Sequence, residues 1–224
     1  MKKTTLYTFV QTLNGKRFID LNFNNQKIIK TVFPEIHDNC VIRCAMYQGR
    51  KIDLAITVNE ITKYLAFRSN KSFVAYKGDV KEIIRVLFSI GLSYETINVL
   101  LKFINKTEID NLNFSNEFLR DDYPNSLDLI NDEFSDKTKI IKLLNYFLIE
   151  EKNGLCVDYF LFGNEKNGDI VSSKAIVEGI SNSKNNYKNI KIGPFTLTKK
   201  SMDECVLKIS FSKYKKIIEK NLDY

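Results

Sequence analysis

Asp53 and Arg68 are the residues of this 224-residue chain whose types and spacing could do chemistry together. Lys51 to Val58 alternates, with Ile52, Leu54, Ile56 and Val58 pointing one way and Asp53, Ala55 and Thr57 the other. Asn59-Glu60 fits a two-residue turn, and Ile61 to Arg68 a return strand. That turn pairs Val58 with Ile61, Ile56 with Lys63 and Asp53 with Ala66. Arg68, two residues beyond Ala66, then shares the face of Asp53. An acid and a base lie diagonally on one face, beside Ala55 and Ala66, whose small side chains leave room. On the residues alone, the pair reads as a cross-strand ion pair on a solvated sheet face.

Other candidates are weaker. His37 is the single histidine, between Pro34 and Cys40, and a turn or surface role suits it better than acid–base work. No nucleophile elbow, P-loop or dinucleotide glycine motif is present. His37, Cys40 and Cys44 could begin a zinc site, but Cys156 and Cys205 are isolated in apolar strands, so buried thiols are the better reading. Asp158 stands between Val157 and Tyr159 in an apolar strand. It is either an outward residue on an edge or the partner of a Lys or Arg from the first part of the chain. Lys184, Asn186, Tyr187, Lys188 and Lys191 form a basic, amide-rich loop, and Lys199-Lys200 a second. Lys71, in Ser69-Asn70-Lys71-Ser72, joins this set. Lys contacts phosphate, Asn can read adenine and Tyr can stack, so these eight residues other than Asp53 and Arg68 suit nucleic acid.

The elements that position these residues follow from periodicity. Leu6 to Leu13 is a short helix or strand, Phe18 to Phe23 alternates weakly, and Gln26 to Phe33 is amphipathic up to the break at Pro34. Cys40 to Tyr47, Lys51 to Val58 and Ile61 to Arg68 make an antiparallel meander. Asp79 with Glu82 starts a helix that Gly91 ends, and Ser93 caps the next, through Ile104. Residues 106–136 read as a connection with one short helix, and Lys137 to Glu151 as an amphipathic helix. Leu155 to Phe162 is a strand, Ser172 caps a short helix, Ile190 to Thr198 and Cys205 to Phe211 are strands, and a basic helix follows.

Charge is unevenly placed. The net charge of +7 comes from 34 basic and 27 acidic residues, yet only six of the basic residues are Arg. Residues 1–104 carry net +8, 105–151 net −6 and 152–224 net +5. Two basic parts around an acidic middle suit one polyanion-facing side. No apolar run is long enough for a transmembrane helix or a secretion signal, and four cysteines are too few for a disulfide scaffold. The expectation is a cytoplasmic protein without membrane contact.

The Ile52-Asp53 and Ala66-Phe67-Arg68 positions resemble the catalytic hairpin of the PD-(D/E)xK, or restriction-endonuclease-like, nuclease superfamily, in degenerate form. Ile52 replaces the Pro, Ala66 the second acid and Arg68 the Lys. The resemblance implies an α+β fold, with a mostly antiparallel or mixed central sheet flanked by helices and a smaller C-terminal lobe. Charge and element order divide the chain into 1–104 as an α/β core, 105–136 as an acidic connector and 137–224 as a helix plus β-rich basic lobe, with one continuous domain as the alternative. The resemblance makes Asp53 a metal acid for Mg²⁺, sets Arg68 in the place of the catalytic Lys, and lets Glu35 act as an additional acid from the N-terminal part. The implied function is metal-dependent cleavage of double-stranded DNA, as in restriction and phage defence, with impaired catalysis and a homodimer as a candidate assembly. The alternatives are a non-catalytic DNA-binding or inhibitor protein of host–phage conflict, docking a basic partner through 105–136, and a structural or assembly protein.

Overall fold

The computed structural model describes residues 2–68, 70, 72–106, 125–163, 168–183, 189–200 and 204–211. They form two compact units. Among the described residues, one takes those up to 70 together with 148–176; the other takes those within 72–147 and 177–211.

The first unit is built on a six-stranded sheet. Its strands are β1 (Lys16–Arg17), β2 (Val41–Met46), β3 (Leu54–Val58), β4 (Ile61–Arg68), β6 (Tyr159–Phe162) and β7 (Asp169–Ser172), in the order β1-β2-β3-β4-β6-β7. All neighbours are antiparallel except β4 and β6, which run parallel, with Leu65 beside Tyr159 and Arg68 beside Phe162. The meander register is the expected one: Val58 pairs with Ile61 and Ile56 with Lys63. Asn59 and Glu60 both take positive φ, 47° and 70°, the twisted two-residue turn that matches strand twist. Asn tolerates that region and Glu does so at a cost, so the strands on either side hold the turn.

One face of this sheet is apolar because β3 alternates: Leu54, Ile56 and Val58 are buried while Ala55 and Thr57 are half-buried. Helices α1 (Lys2–Leu13) and α2 (Phe23–Val32) supply the other half of that core. Leu6, Phe9 and Leu13 from α1 and Ile28, Ile29 and Val32 from α2 join Leu54, Ile56, Leu65 and Phe67 in one buried cluster. Each such side chain contributes about 1.5–3 kcal/mol on leaving water. Asn22 caps α2 by accepting the Asn25 N–H at 2.9 Å. Phe18 to Asp20, with its weak alternation, is a 3₁₀ turn and not a strand. It still bonds across to the chain before β2, the Phe18 N–H donating to the Cys40 carbonyl at 2.9 Å and the Ile19 N–H to the Asp38 carbonyl at 3.1 Å.

The second unit holds a three-stranded antiparallel sheet in the order β5-β9-β8, with β5 (Ser72–Asp79), β8 (Thr196–Lys199) and β9 (Glu204–Ser210). Helices α3 (Val80–Ser89), α4 (Tyr94–Lys106), α5 (Ser126–Glu133) and α6 (Lys137–Leu144) belong to it. Asp79 accepts the Lys81 N–H at 2.7 Å and so caps α3, and Gly91 ends that turn at φ 87°. Helix α7 (Ser173–Ser181) follows β7, and the Ser172 hydroxyl accepts the Ala175 N–H at 3.1 Å.

Several elements differ from the expectation. Strand β5 has no counterpart among the expected elements, because Phe73, Val74 and Tyr76 are interrupted by small and polar residues and pair with distant β9. The helix from Lys137 ends at Leu144 and continues as a π-helical turn, Asn145–Ile149. Strand β7 was not anticipated, and the strands expected from Leu155 and from Ile190 are shorter, beginning at Tyr159 and Thr196. Residues 107–124 of the acidic connector and the basic helix expected after Phe211 lie outside the described residues. The architecture is a mixed α+β fold with a mixed six-stranded sheet and seven α-helices among the described residues, as expected. No described helix is long and apolar enough to cross a membrane.

Candidate functional site

Asp53 sits immediately before β3. Its N–H donates to the Leu65 carbonyl at 2.9 Å, and its carbonyl accepts the Tyr47 N–H at 2.8 Å, so backbone bonds on both sides fix it between β2 and β4. Asp53 and Ala55 leave the sheet on the face opposite the α1/α2 core, as do Ala66 and Arg68.

The two candidate side chains meet there. Arg68 Nη1 donates to Asp53 Oδ2 at 2.7 Å, and the Phe67 N–H donates to the same oxygen at 2.8 Å. Arg68 Nη1 also donates to the Phe67 carbonyl at 2.7 Å, and Nη2 to the Lys51 carbonyl at 3.3 Å. The guanidinium carbon lies 5.9 Å from the centroid of the Phe160 ring, within cation–π range. The side chains are only 13% (Arg68) and 17% (Asp53) exposed. This is therefore no pair on an open solvated face. Burial pulls the Arg68 guanidinium below its ordinary range, and Asp53 beside it works the other way. In so dry a setting, taking away either partner strands a charge, which costs several times what a surface pair is worth.

A second carboxylate, which sequence reasoning missed, supports the approach to Asp53. Glu151 Oε1 accepts the N–H groups of Lys51 at 2.6 Å and Ile52 at 3.0 Å. A Cβ on Gly49 would stand 2.4 Å from that oxygen, so Gly is the residue that lets the carboxylate close on the backbone. Lys51 Nζ donates to the Glu150 carbonyl. Burial pushes the Lys51 amine down to about 8, against the opposing pull of Glu151 and Glu150. Only a nearby sequence signal could have found Glu151, and none exists, since it lies about a hundred residues downstream of its partners.

Asp158 has a partner from the first part of the chain. Its Oδ1 lies 3.2 Å from Lys63 Nζ, and its Oδ2 accepts the Tyr64 N–H at 2.8 Å. It thereby pins the parallel junction of β4 and β6.

Of the remaining predicted residues, Glu35, Lys191, Lys199 and Lys200 are among those described. Glu35 stands exposed in the turn after α2. Lys191 is half-buried and Lys200 exposed; the Lys200 N–H donates to the Glu204 carbonyl at 2.8 Å between β8 and β9. Lys199 is the last residue of β8, paired with Cys205. All three belong to the second unit, whereas Asp53 belongs to the first. Lys71, Lys184, Asn186, Tyr187 and Lys188 lie outside the described residues. His37 is exposed in a turn, and its carbonyl accepts the Cys40 N–H. Glu133, near the end of the acidic connector, is engaged within the fold by the Ser93 N–H at 2.8 Å and by Lys139 Nζ.

A hard divalent cation needs several oxygen donors, usually including one or two carboxylates. At this hairpin the donors do not suit it. Asp53 Oδ2 already receives a guanidinium and a backbone N–H, and Ala66, fully buried, offers no oxygen where a second acid would stand. Among the described residues no three His, Cys, Asp or Glu side chains converge. Arg68 stays protonated, so it cannot serve as a general base.

No protein-family model matches the sequence, and no curated protein matches it. Among solved structures, the restriction endonuclease MspI in complex with its cognate DNA matches with a TM-score of 0.53 and 14% sequence identity. The match covers 90% of this chain and 87% of that one. At that identity the likeness is one of fold: this chain has a restriction-endonuclease-like fold.

Proposed function

We propose that the protein binds double-stranded DNA on its restriction-endonuclease-like fold, and that metal-dependent cleavage at the Asp53 hairpin is impaired. The observation that carries this reading is the buried Asp53–Arg68 pair, which commits the one motif carboxylate to a guanidinium at 2.7 Å. The DNA part draws support from the fold, from the DNA held by MspI and from the net charge of +7. Lys71, Lys184, Lys188, Lys191, Lys199 and Lys200 are assigned to phosphates, and Asn186 and Tyr187 to bases or sugar–phosphate.

Fluorescence polarisation with a 25-base-pair duplex tests the binding. If all six lysines neutralise phosphates, log K falls against log salt with a slope of roughly −5, and K184A/K188A/K191A lowers that slope by about 3. A supercoiled plasmid with Mg²⁺ or Mn²⁺ tests the chemistry: wild type and D53A show the same low background. Absence of salt-dependent binding overturns the DNA assignment. Rapid cleavage by wild type that D53A abolishes overturns the impairment.

A further inference from the structure

We propose that α3 and α4 form a helix-turn-helix whose second helix reads base edges in the major groove of duplex DNA, with Tyr94, Glu95 and Asn98 as the reading residues. The proposal rests on the DNA-binding reading above. It adds a means of telling one sequence from another, which phosphate contacts do not supply.

Local chemistry builds the two helices and the turn between them. Helix α3 ends in a Schellman turn: the Leu92 N–H donates to the Leu87 carbonyl at 3.1 Å and the Gly91 N–H to the Phe88 carbonyl at 3.0 Å, with Gly91 at φ 87°. Leu87 and Leu92, both buried, are the apolar pair that accompanies such a turn. Ser93 then caps α4. Its hydroxyl accepts the Thr96 N–H at 3.2 Å, and its carbonyl accepts the Ile97 N–H at 3.1 Å. Ile90-Gly91-Leu92-Ser93 is therefore the whole connection, the short Gly-bearing turn by which this motif joins its helices. Val86 and Ile90 are buried before the turn, and Ile97 and Leu100 after it. The inward faces of both helices are thus apolar, and polar residues are left to the outward ones.

The outward stripe of α4 carries Tyr94, Asn98 and Lys102 at helical spacing, with Glu95 beside Tyr94. Tyr94 is 70% exposed, Glu95 and Lys102 are exposed and Asn98 is half-buried. These types suit base edges: Asn bonds adenine at N6 and N7 together, a carboxylate accepts from cytosine N4, and an aromatic ring packs on the thymine methyl. On α3, Lys81 and Arg85 stand exposed one turn apart, with charge complementary to the phosphates that the first helix of this motif crosses. Polar readers on one helix and cations on the other fit a duplex. The N-terminal amide of α4 is no part of the site, since the Ser93 N–H donates to Glu133 Oε1 at 2.8 Å and Lys139 Nζ pairs with that carboxylate.

The experiment uses the full chain and a pool of duplexes randomised over about 12 base pairs, just over one helical turn. Affinity for the unselected pool measures sequence-independent binding. Wild type enriches a sequence containing an adenine. Exchanging that base weakens wild type by roughly 5- to 150-fold, and N98A and N98Q no longer make the distinction. 7-Deazaadenine, which lacks the major-groove N7 acceptor, also weakens wild type, a readout that holds whether or not the variants fold. K81A/R85A weakens binding to selected and unselected duplexes alike and lowers the salt slope by roughly 2; unchanged affinity in it overturns the docking of α3. Binding of the pool without enrichment of any sequence overturns the helix-turn-helix and leaves the proposed DNA binding standing, whereas no binding of the pool overturns both. Enrichment that folded N98A, N98Q and Y94A share unchanged with wild type, or that 7-deazaadenine at every adenine fails to weaken, also overturns the proposal.

Discussion

Truncating Asp53 to Ala removes the counter-charge of a guanidinium that is only 13% exposed and the acceptor of the Phe67 N–H. Breaking one side of a buried pair costs about 3–5 kcal/mol, because the guanidinium left behind loses its counter-charge while still largely out of water. R68M is milder, about 2–4 kcal/mol, since Asp53 keeps the Phe67 N–H and the Met stem keeps much of the packing. In D53A/R68M no charge is stranded, so the double variant loses less than the two singles together, with a coupling of about 2–3 kcal/mol. The first unit contains its own control. Arg17 and Asp20 form a pair at 2.8 Å, but their side chains are 55% and 44% exposed. Water screens that pair, so its coupling is far smaller. Urea unfolding of both four-member cycles, read from midpoints at unchanged slope, supplies the two couplings. If the Asp53–Arg68 coupling is no larger than that of Arg17–Asp20, burial is not what gives the hairpin pair its strength, and the reasoning from exposure to energy is refuted.

Lys51 gives stability a pH dependence of known sign. Its folded-state pKa is about 8 against an ordinary 10.5, so between those values the unfolded chain binds more protons and stability rises with pH. Melting temperatures of wild type and K51M at pH 7.5, 8.5 and 9.5 should therefore diverge upward for wild type, and parallel curves would contradict the assignment. E151A removes a charged acceptor from two backbone N–H groups and costs about 1.5–3 kcal/mol by urea unfolding, whereas E151Q keeps an acceptor and loses less. G49A forces a Cβ against Glu151 Oε1 and is destabilising in wild type, but much less so in E151A; equal effects in both backgrounds would show that the close approach is not what demands Gly.

The hairpin was legible because everything about it is local. Alternation through Leu54, Ile56 and Val58 and a two-residue turn at Asn59-Glu60 set the register, and the register alone places Arg68 on the face of Asp53. What stayed hidden is non-local. Nothing near Asp158 announces Lys63, and nothing near Glu151 announces the peptides of Lys51 and Ile52; each contact spans some ninety-five to a hundred residues. The parallel pairing of β4 with β6 hid for the same reason, since the whole second unit's first segment intervenes between them. Strand β5 escaped because its burial pattern is irregular, with a register shift between Val74 and Tyr76 that spoils the alternation. The sequence also suggested an exposed pair where the structure holds a buried one. Burial of Ala66 and Phe160 beside Arg68 comes from tertiary packing, which alternation within one hairpin does not encode.

That burial changes what the +7 charge means for binding. A lone carboxylate facing a duplex repels phosphate, and a nuclease of this general layout relies on a cation to cancel the repulsion. Here Arg68 cancels it permanently, within the protein. On the proposed DNA-binding reading the hairpin pair neither draws DNA in nor holds it off, and attraction is assigned to the lysines elsewhere on the chain. Duplex affinity should then be indifferent to a chelator, with the same salt slope in its presence as in Mg²⁺. On that reading binding and hairpin stability rest on different residues and can fail separately: lysine variants test the first without touching Asp53, and the Asp53–Arg68 cycle tests the second without any DNA present.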